Sequence, residues 1–172
     1  NQVDIILVDL LDNDDVKNVS EYLSSGAWIT EHQKTRELEN NIKDFVGRKY
    51  GIAVPNGTIA IYLSLLGLGL ENKRIAVPNI TMIATINAVK MLGLIPIIAD
   101  VNKNSGTLDV SNIKKCMNDN VKCVIHVSLN NRTTELDEIV KYCRNEGIDL
   151  IEDAAQSLGC KINGKSLGTF GK

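Results

Sequence analysis

Four short runs constrain what this chain can fold into: "RIAVP" (74–78), "IPIIADV" (95–101), "VKCVIHVS" (121–128) and "IDLIED" (148–153). In each, the apolar residues come in blocks rather than in alternation with polar ones. A strand with one wet face alternates; a strand covered on both faces does not. Sheets covered on both faces are mostly parallel, with helices as the crossover connections.

Helical patterns fill the spaces between. An opening helix is expected from Asp12 or Asn13, with Val16, Val19 and Leu23 on one face and an end at Gly26. A second sets Leu38, Ile42, Phe45 and Val46 on one side and stops at Gly47. "YGIAVPNG" (50–57) reads as a short strand broken by Pro55-Asn56-Gly57. The helix after it, Thr58 to about Leu68, is apolar nearly all round, which predicts burial on every side. Another is expected from about Thr81 to Leu92. Asp109 caps a short helix with Ile113, Cys116 and Met117 inward. Thr134-Glu135-Leu136-Asp137 fits a capping box that opens a helix with Leu136, Ile139, Val140 and Cys143 on one side. No repeat, linker or low-complexity tract interrupts the alternation. The predicted class is α/β, a three-layer α/β/α arrangement around a mostly parallel sheet.

Composition narrows the chemistry. A net charge of −2 gives no reason to expect nucleic acid or an anionic membrane surface. The longest apolar run, Ile59 to Leu70, has 12 residues and contains Ser64 and two glycines, too short to span a bilayer. No basic segment followed by an apolar one opens the chain, so no secretory signal is expected. The four cysteines (Cys116, Cys123, Cys143, Cys160) form no C-x-x-C pair and no metal-type spacing with His32 or His126. Reduced, mostly buried thiols in a cytoplasmic protein are expected.

In a parallel sheet, ligands sit at the carboxyl ends of the strands, so the strand-to-helix turns carry the search for chemistry. In Pro55-Asn56-Gly57-Thr58, backbone N–H groups at a helix start can hold an anion, and the Thr58 hydroxyl can donate to a phosphate oxygen. Asn56 or Thr58 can equally be a simple cap. Gly67-Leu68-Gly69 lies at a helix end, so no G-x-G-x-x-G dinucleotide loop is present. In "LIEDAAQSLG" (150–159), Asp153 stands where a buried strand runs out, which is costly without a positive partner. That partner is either a structural Arg or Lys or a protonated heterocyclic nitrogen on a ligand. Gln156 can donate to an oxygen of the same ring, while Glu152 points to the other side of the strand and is assigned a structural role. In Pro78-Asn79-Ile80-Thr81-Met82, Thr81 is the expected N-cap, and Met82 either lies over a flat ring or fills the core.

These turns, in order with "SGAWIT" (25–30), "VPNGTIAIYLSLLGLG" (54–69), "VPNITMIATINAV" (77–89), "IPIIADVN" (95–102), "IEDAAQSLG" (151–159) and "GKSLGTFG" (164–171), resemble the pyridoxal-phosphate sugar aminotransferases of the DegT/DnrJ/EryC1/StrS type, fold type I. The similarity runs from about residue 4 to the end. It implies that Gly57 and Thr58 hold the phosphate of pyridoxal 5′-phosphate, that Asp153 pairs with the pyridinium nitrogen, and that Gln156 hydrogen-bonds the ring hydroxyl oxygen. It matches Trp28, Ile29 and Thr30 to a segment near the substrate entrance. His126, on a strand leading to the site, is either a satisfied strand histidine or a ligand neighbour.

Two positions depart from the family pattern: Met82 stands where an aromatic usually stacks on the ring, and Asn131 stands for a usual glycine. The family's Schiff-base lysine lies downstream of "GTFG". Lys161, Lys165 and Lys172 do not match it, and Lys172 is expected to be a surface or terminal lysine. Residues 1–172 are therefore expected to be the N-terminal portion of the cofactor-binding large domain, inactive alone, with the C-terminal small domain outside it. The resemblance implies amino transfer from glutamate to a nucleotide-linked keto-sugar, in a homodimer. The alternatives are a dehydratase of the same fold, with histidine replacing the lysine, or a non-catalytic binding module.

Overall fold

The computed structural model describes residues 12–29, 33–70, 72–117, 120–133 and 135–172. The four apolar runs become strands β1 (Arg74–Pro78), β2 (Ile95–Ala99), β3 (Val121–Val127) and β4 (Asp149–Asp153) of one sheet, in the order β2-β1-β3-β4. All three pairings are parallel. Pro78 stands opposite Ala99, and Val127 opposite Asp153, so the strands finish along one edge of the sheet.

Helices cover both faces, completing the α/β/α layering. On one, α3 (Gly57–Gly67) and α4 (Ile83–Met91) bring Ile61, Leu65, Ala88 and Val89 against Ile75, Val77, Ile125 and Ile151. On the other, α5 (Val110–Cys116) and α6 (Leu136–Asn145) bring Ile113, Cys116, Ile139 and Cys143 against Ala76, Val124 and Leu150. In β1, β3 and β4 the blocks of apolar residues are thus explained: successive residues of one strand enter two cores. The outermost strand, β2, departs from that expectation, with Ile97 and Ala99 in one core and Ile95 and Ile98 exposed, since none of its residues enters the other core. All four cysteines are free, and Cys116, Cys123 and Cys143 are buried. Burial pushes the Cys123 thiol up and that of Cys143 up to about 11, so neither supplies a thiolate near neutrality.

Helix α1 (Asn13–Ser24) begins as the sequence predicts: Asp12 accepts from the backbone N–H groups of Asp14 and Asp15, both at 2.9 Å, and its own N–H donates to Asp15. The apolar stripes of α1 and of α2 (Gln33–Val46), with Val16, Leu23, Leu38 and Phe45, are exposed. Asp109 caps α5 through Asn112 N–H at 2.8 Å.

Several expectations give way. Residues 50–54 form no strand. A strand needs a neighbour to pair with, and this segment lies instead along α2, where Ala53 N–H donates to the Glu39 carboxylate at 2.8 Å. Helix α3 is not buried on every side: Ile61 and Leu65 face the sheet, whereas Leu63 and Leu66 are exposed. Thr81 is not the N-cap of α4; Met82 is, and the Thr81 hydroxyl is spent on that of Thr85, at 2.8 Å. The N-cap of α6 is Glu135, left-handed at φ 56° and without a side-chain cap bond. Thr134, needed for the expected capping box, lies outside the described residues, as do Thr30 and His32. A hairpin that the apolar patterning does not announce joins β5 (Lys161–Ile162) to β6 (Lys165–Ser166). Its turn is Asn163-Gly164, both with positive φ (49° and 79°), as two-residue hairpin turns of this hand require.

Candidate active site

Of the residues that the sequence singles out, Asp153 closes the carboxyl end of β4, Gln156 follows three residues on, and Met82 stands four residues past the end of β1. At the start of α3 the division of labour is clear. Asn56 is the cap: its side-chain oxygen accepts from Ile59 N–H at 3.0 Å, and its carbonyl from Ala60 N–H at 3.0 Å. The N–H groups of Gly57 and Thr58 and the Thr58 hydroxyl make no hydrogen bond among the described residues. They stand at the positive end of the helix dipole, the arrangement that suits a phosphate. A Cβ on Gly57 would meet nothing within 4 Å, so the chain's own packing does not demand glycine there; close approach of a ligand would.

Asp153 ends β4. Its backbone carbonyl accepts from Ser128 N–H at 3.0 Å, and its carboxylate from Ala155 N–H at 3.1 Å. No arginine or lysine among the described residues pairs with it, so the structural cation weighed from sequence is not what compensates it. Three residues on, the Gln156 side-chain oxygen accepts from Asn130 N–H at 2.8 Å. With its oxygen held, the free end of that amide is the NH2 group, a donor. Asn130 can aim its N–H this way because it is left-handed (φ 50°, ψ 48°), and Asn131 follows at φ 60°. Asn131 therefore does adopt the conformation that a glycine would serve.

Glu152 points away from this edge. Its two carboxylate oxygens accept from Gly168 N–H at 2.7 Å and Phe170 N–H at 2.8 Å, tying the "SLGTFG" segment to β4. The structural role read from sequence is what the geometry shows. Bonds to a carboxylate are individually worth ~1.5–3 kcal/mol. Glu152→Gln turns one acceptor into a donor facing an N–H, so urea unfolding is expected to show a loss of about 2 kcal/mol. An unchanged midpoint would show that the clamp carries no stability.

Met82 is 66% exposed at the carboxyl side of β1 and is not core filler. Trp28 and Ile29 follow α1 and are also exposed, at 77% and 78%; no hydrogen bond joins them to Asp153 or Gln156. Thr30 is outside the described residues. Lys172 is a surface lysine paired with Asp149, at the opposite end of β4 from Asp153. Lys165 lies over the Phe170 ring at 4.1 Å. His126 is fully buried; Nε2 lies 3.0 Å from the Thr133 hydroxyl, and Nδ1 has no partner among the described residues. Burial lowers its pKa to about 4, so the ring is neutral near pH 7. Among the described residues, no group of three or more His, Cys, Asp or Glu side chains can hold a metal ion.

Residues 9–172 match the sequence model of the DegT/DnrJ/EryC1/StrS aminotransferase family. The chain belongs to that family. It is 29% identical over 163 residues to the GDP-perosamine synthase of Vibrio cholerae, covering 94% of this chain and 44% of that protein. To the GDP-perosamine synthase of Escherichia coli O157:H7 it is 34% identical, over 89% of this chain and 42% of that one. The structure of an aminotransferase from Psychrobacter cryohalolentis superimposes with a TM-score of 0.89 at 28% identity, covering 94% of this chain and 41% of that chain. That of an E. coli GDP-4-keto-6-deoxy-D-mannose-3-dehydratase with bound hydrated PLP does so with a TM-score of 0.88 at 26% identity, covering 95% and 44%. The chain thus spans 41–44% of the length of these relatives. Among the described residues no helix is long and apolar enough to cross a membrane, as the sequence implies.

Proposed function

We propose that this chain forms the phosphate- and ring-holding part of a pyridoxal 5′-phosphate site in an enzyme that moves an amino group from glutamate to a nucleotide-linked keto-sugar. The observation that carries this is an Asp153 carboxylate at the carboxyl end of β4 with no cation paired to it among the described residues, together with a helix start whose N–H groups and hydroxyl are unspent among them. The residues fit the cofactor group by group. The Gly57 and Thr58 N–H groups and the Thr58 hydroxyl hold the phosphate; the Asp153 carboxylate holds the proton on the ring nitrogen; the Gln156 NH2 donates to the ring oxygen; and Met82 covers a face. Pyridoxal phosphate, when bound, supplies an electron sink for a carbanion at the substrate carbon. Asp153 keeps that sink charged, since an opposite charge at contact distance moves a pKa by ~1–3 units.

The lysine that carries the cofactor in this family is assigned to the length of the relatives that this chain does not span, together with their small domain. The likeness to the dehydratase supports a second possibility, in which histidine takes the lysine's place. The exposed apolar stripes of α1 and α2 support burial against further protein, a second subunit included.

The test uses pyridoxamine 5′-phosphate, whose amine cannot condense with surface lysines. Titration followed by its fluorescence is expected to saturate, and inorganic phosphate is expected to compete. Thr58→Val removes one bond to a charged group and should weaken binding about tenfold. No saturation, or binding indifferent to phosphate, would overturn the assignment.

A further inference from the structure

The turn between β3 and α6 is held from several sides. Its two consecutive left-handed residues, Asn130 and Asn131, are a conformation that L-residues rarely keep in series. Arg132 N–H donates back to the Leu129 carbonyl at 2.9 Å. The Cys160 thiol donates to the Asn131 side-chain oxygen at 3.4 Å. The Ser157 hydroxyl donates to the Ser128 carbonyl at 2.7 Å. At its far end Thr133 returns to β3, where its hydroxyl meets Nε2 of His126 at 3.0 Å. That bond is the sole hydrogen bond of a fully buried imidazole among the described residues, since Nδ1 is unpartnered. A buried ring with one polar contact fixes the place of whatever it contacts, because letting go leaves both nitrogens unpaired. What the turn then presents to the site is one group, the Asn130 N–H, which holds the Gln156 oxygen at 2.8 Å.

We infer that His126 is a positioning residue: through Thr133 it closes the left-handed turn, so that Asn130 fixes the Gln156 amide with its NH2 aimed at the cofactor's ring oxygen. The inference rests on the pyridoxal-phosphate assignment and goes beyond it. His126 is fully buried and exposes no atom to the site. It lies opposite Glu152 in the β3–β4 register, on the side of the sheet away from Val127 and Asp153. Its role is to choose which end of an amide faces the site.

The test compares two probes on the full chain: pyridoxamine 5′-phosphate and its analogue lacking the ring 3-hydroxyl. The unaltered chain is expected to prefer the hydroxylated probe. Thr133→Val should lower affinity for that probe five- to tenfold and change affinity for the deoxy analogue less than twofold. Thr133→Ser, which keeps the hydroxyl, should restore the preference, and Gln156→Leu should remove it. His126→Asn, too short to reach Thr133, should behave as Thr133→Val; if it fails to fold, the half-buried Thr133 pair still decides. Equal losses for both probes in Thr133→Val would mean a merely structural contact and overturn the inference, as would no loss for either. An unaltered chain that binds both probes equally also overturns it, while leaving the phosphate and Asp153 assignments standing. An unaltered chain that binds neither probe overturns those assignments and the inference together.

Discussion

Asp153→Ala is expected, on the proposed function, to lower amino transfer at least about a hundredfold, the scale seen when a single preorganised electrostatic partner of a developing charge is removed. Nothing in the fold should mask this loss. The Asp153 side chain makes one hydrogen bond, to Ala155 N–H two residues on, and pairs with no cation among the described residues. Its backbone carbonyl, which anchors Ser128, survives the substitution. Asp153→Asn separates charge from shape: the amide oxygen can still accept from Ala155, but it cannot favour a proton on the ring nitrogen. It should therefore be nearly as slow as alanine while binding the cofactor within severalfold of the unaltered protein. Turnover by the Asp153→Asn variant equal to that of the parent would remove the charge from the mechanism. Loss of binding without loss of turnover at saturation would make Asp153 an anchor only.

What could be read from the sequence was what depends on a residue's own chemistry and near neighbours. The apolar blocks around Ile75, Val124 and Leu150 needed no partner to be recognised as doubly covered strands, whereas the same pattern in β2 did not foretell that Ile95 and Ile98 would be exposed. The caps at Asp12 and Asp109 lie within three residues of the groups they satisfy. What escaped depends on what lies across space. Residues 50–54 have the composition of a strand, but pairing is a property of two segments, and here α2 is the neighbour. The apolar circumference of α3 does not say that only Ile61 and Leu65 will be covered. The Asn163-Gly164 turn is itself a hairpin signal, but flanking strands of two residues give no alternation to go with it. At the site, Asp153 and Gln156 could be picked out as chemical types. The donor role of Gln156 could be named from its chemistry, but what holds its oxygen and frees the NH2, the bond from Asn130 26 residues away, could not.

The same buried imidazole is expected to make the fold sensitive to acid. With His126 depressed to about 4, the folded chain binds fewer protons than the unfolded one, whose histidine titrates near ~6.5. The sign follows from linkage. The contribution is fully present above the unfolded value and is lost as pH falls towards the folded one. The difference of ~2.5 units amounts to about 2 kcal/mol lost by pH 5 and about 3 kcal/mol near pH 4. Charging the ring puts a hydrogen on both nitrogens, and the one at Nδ1 has no acceptor among the described residues. Urea unfolding from pH 7.5 to pH 4 should therefore show falling stability, with the steepest change below about pH 6.5. His126→Gln, destabilised throughout by its imperfect fit, should show a flatter profile over that window. Parallel profiles would place the acid sensitivity elsewhere and leave His126 ordinarily titrating.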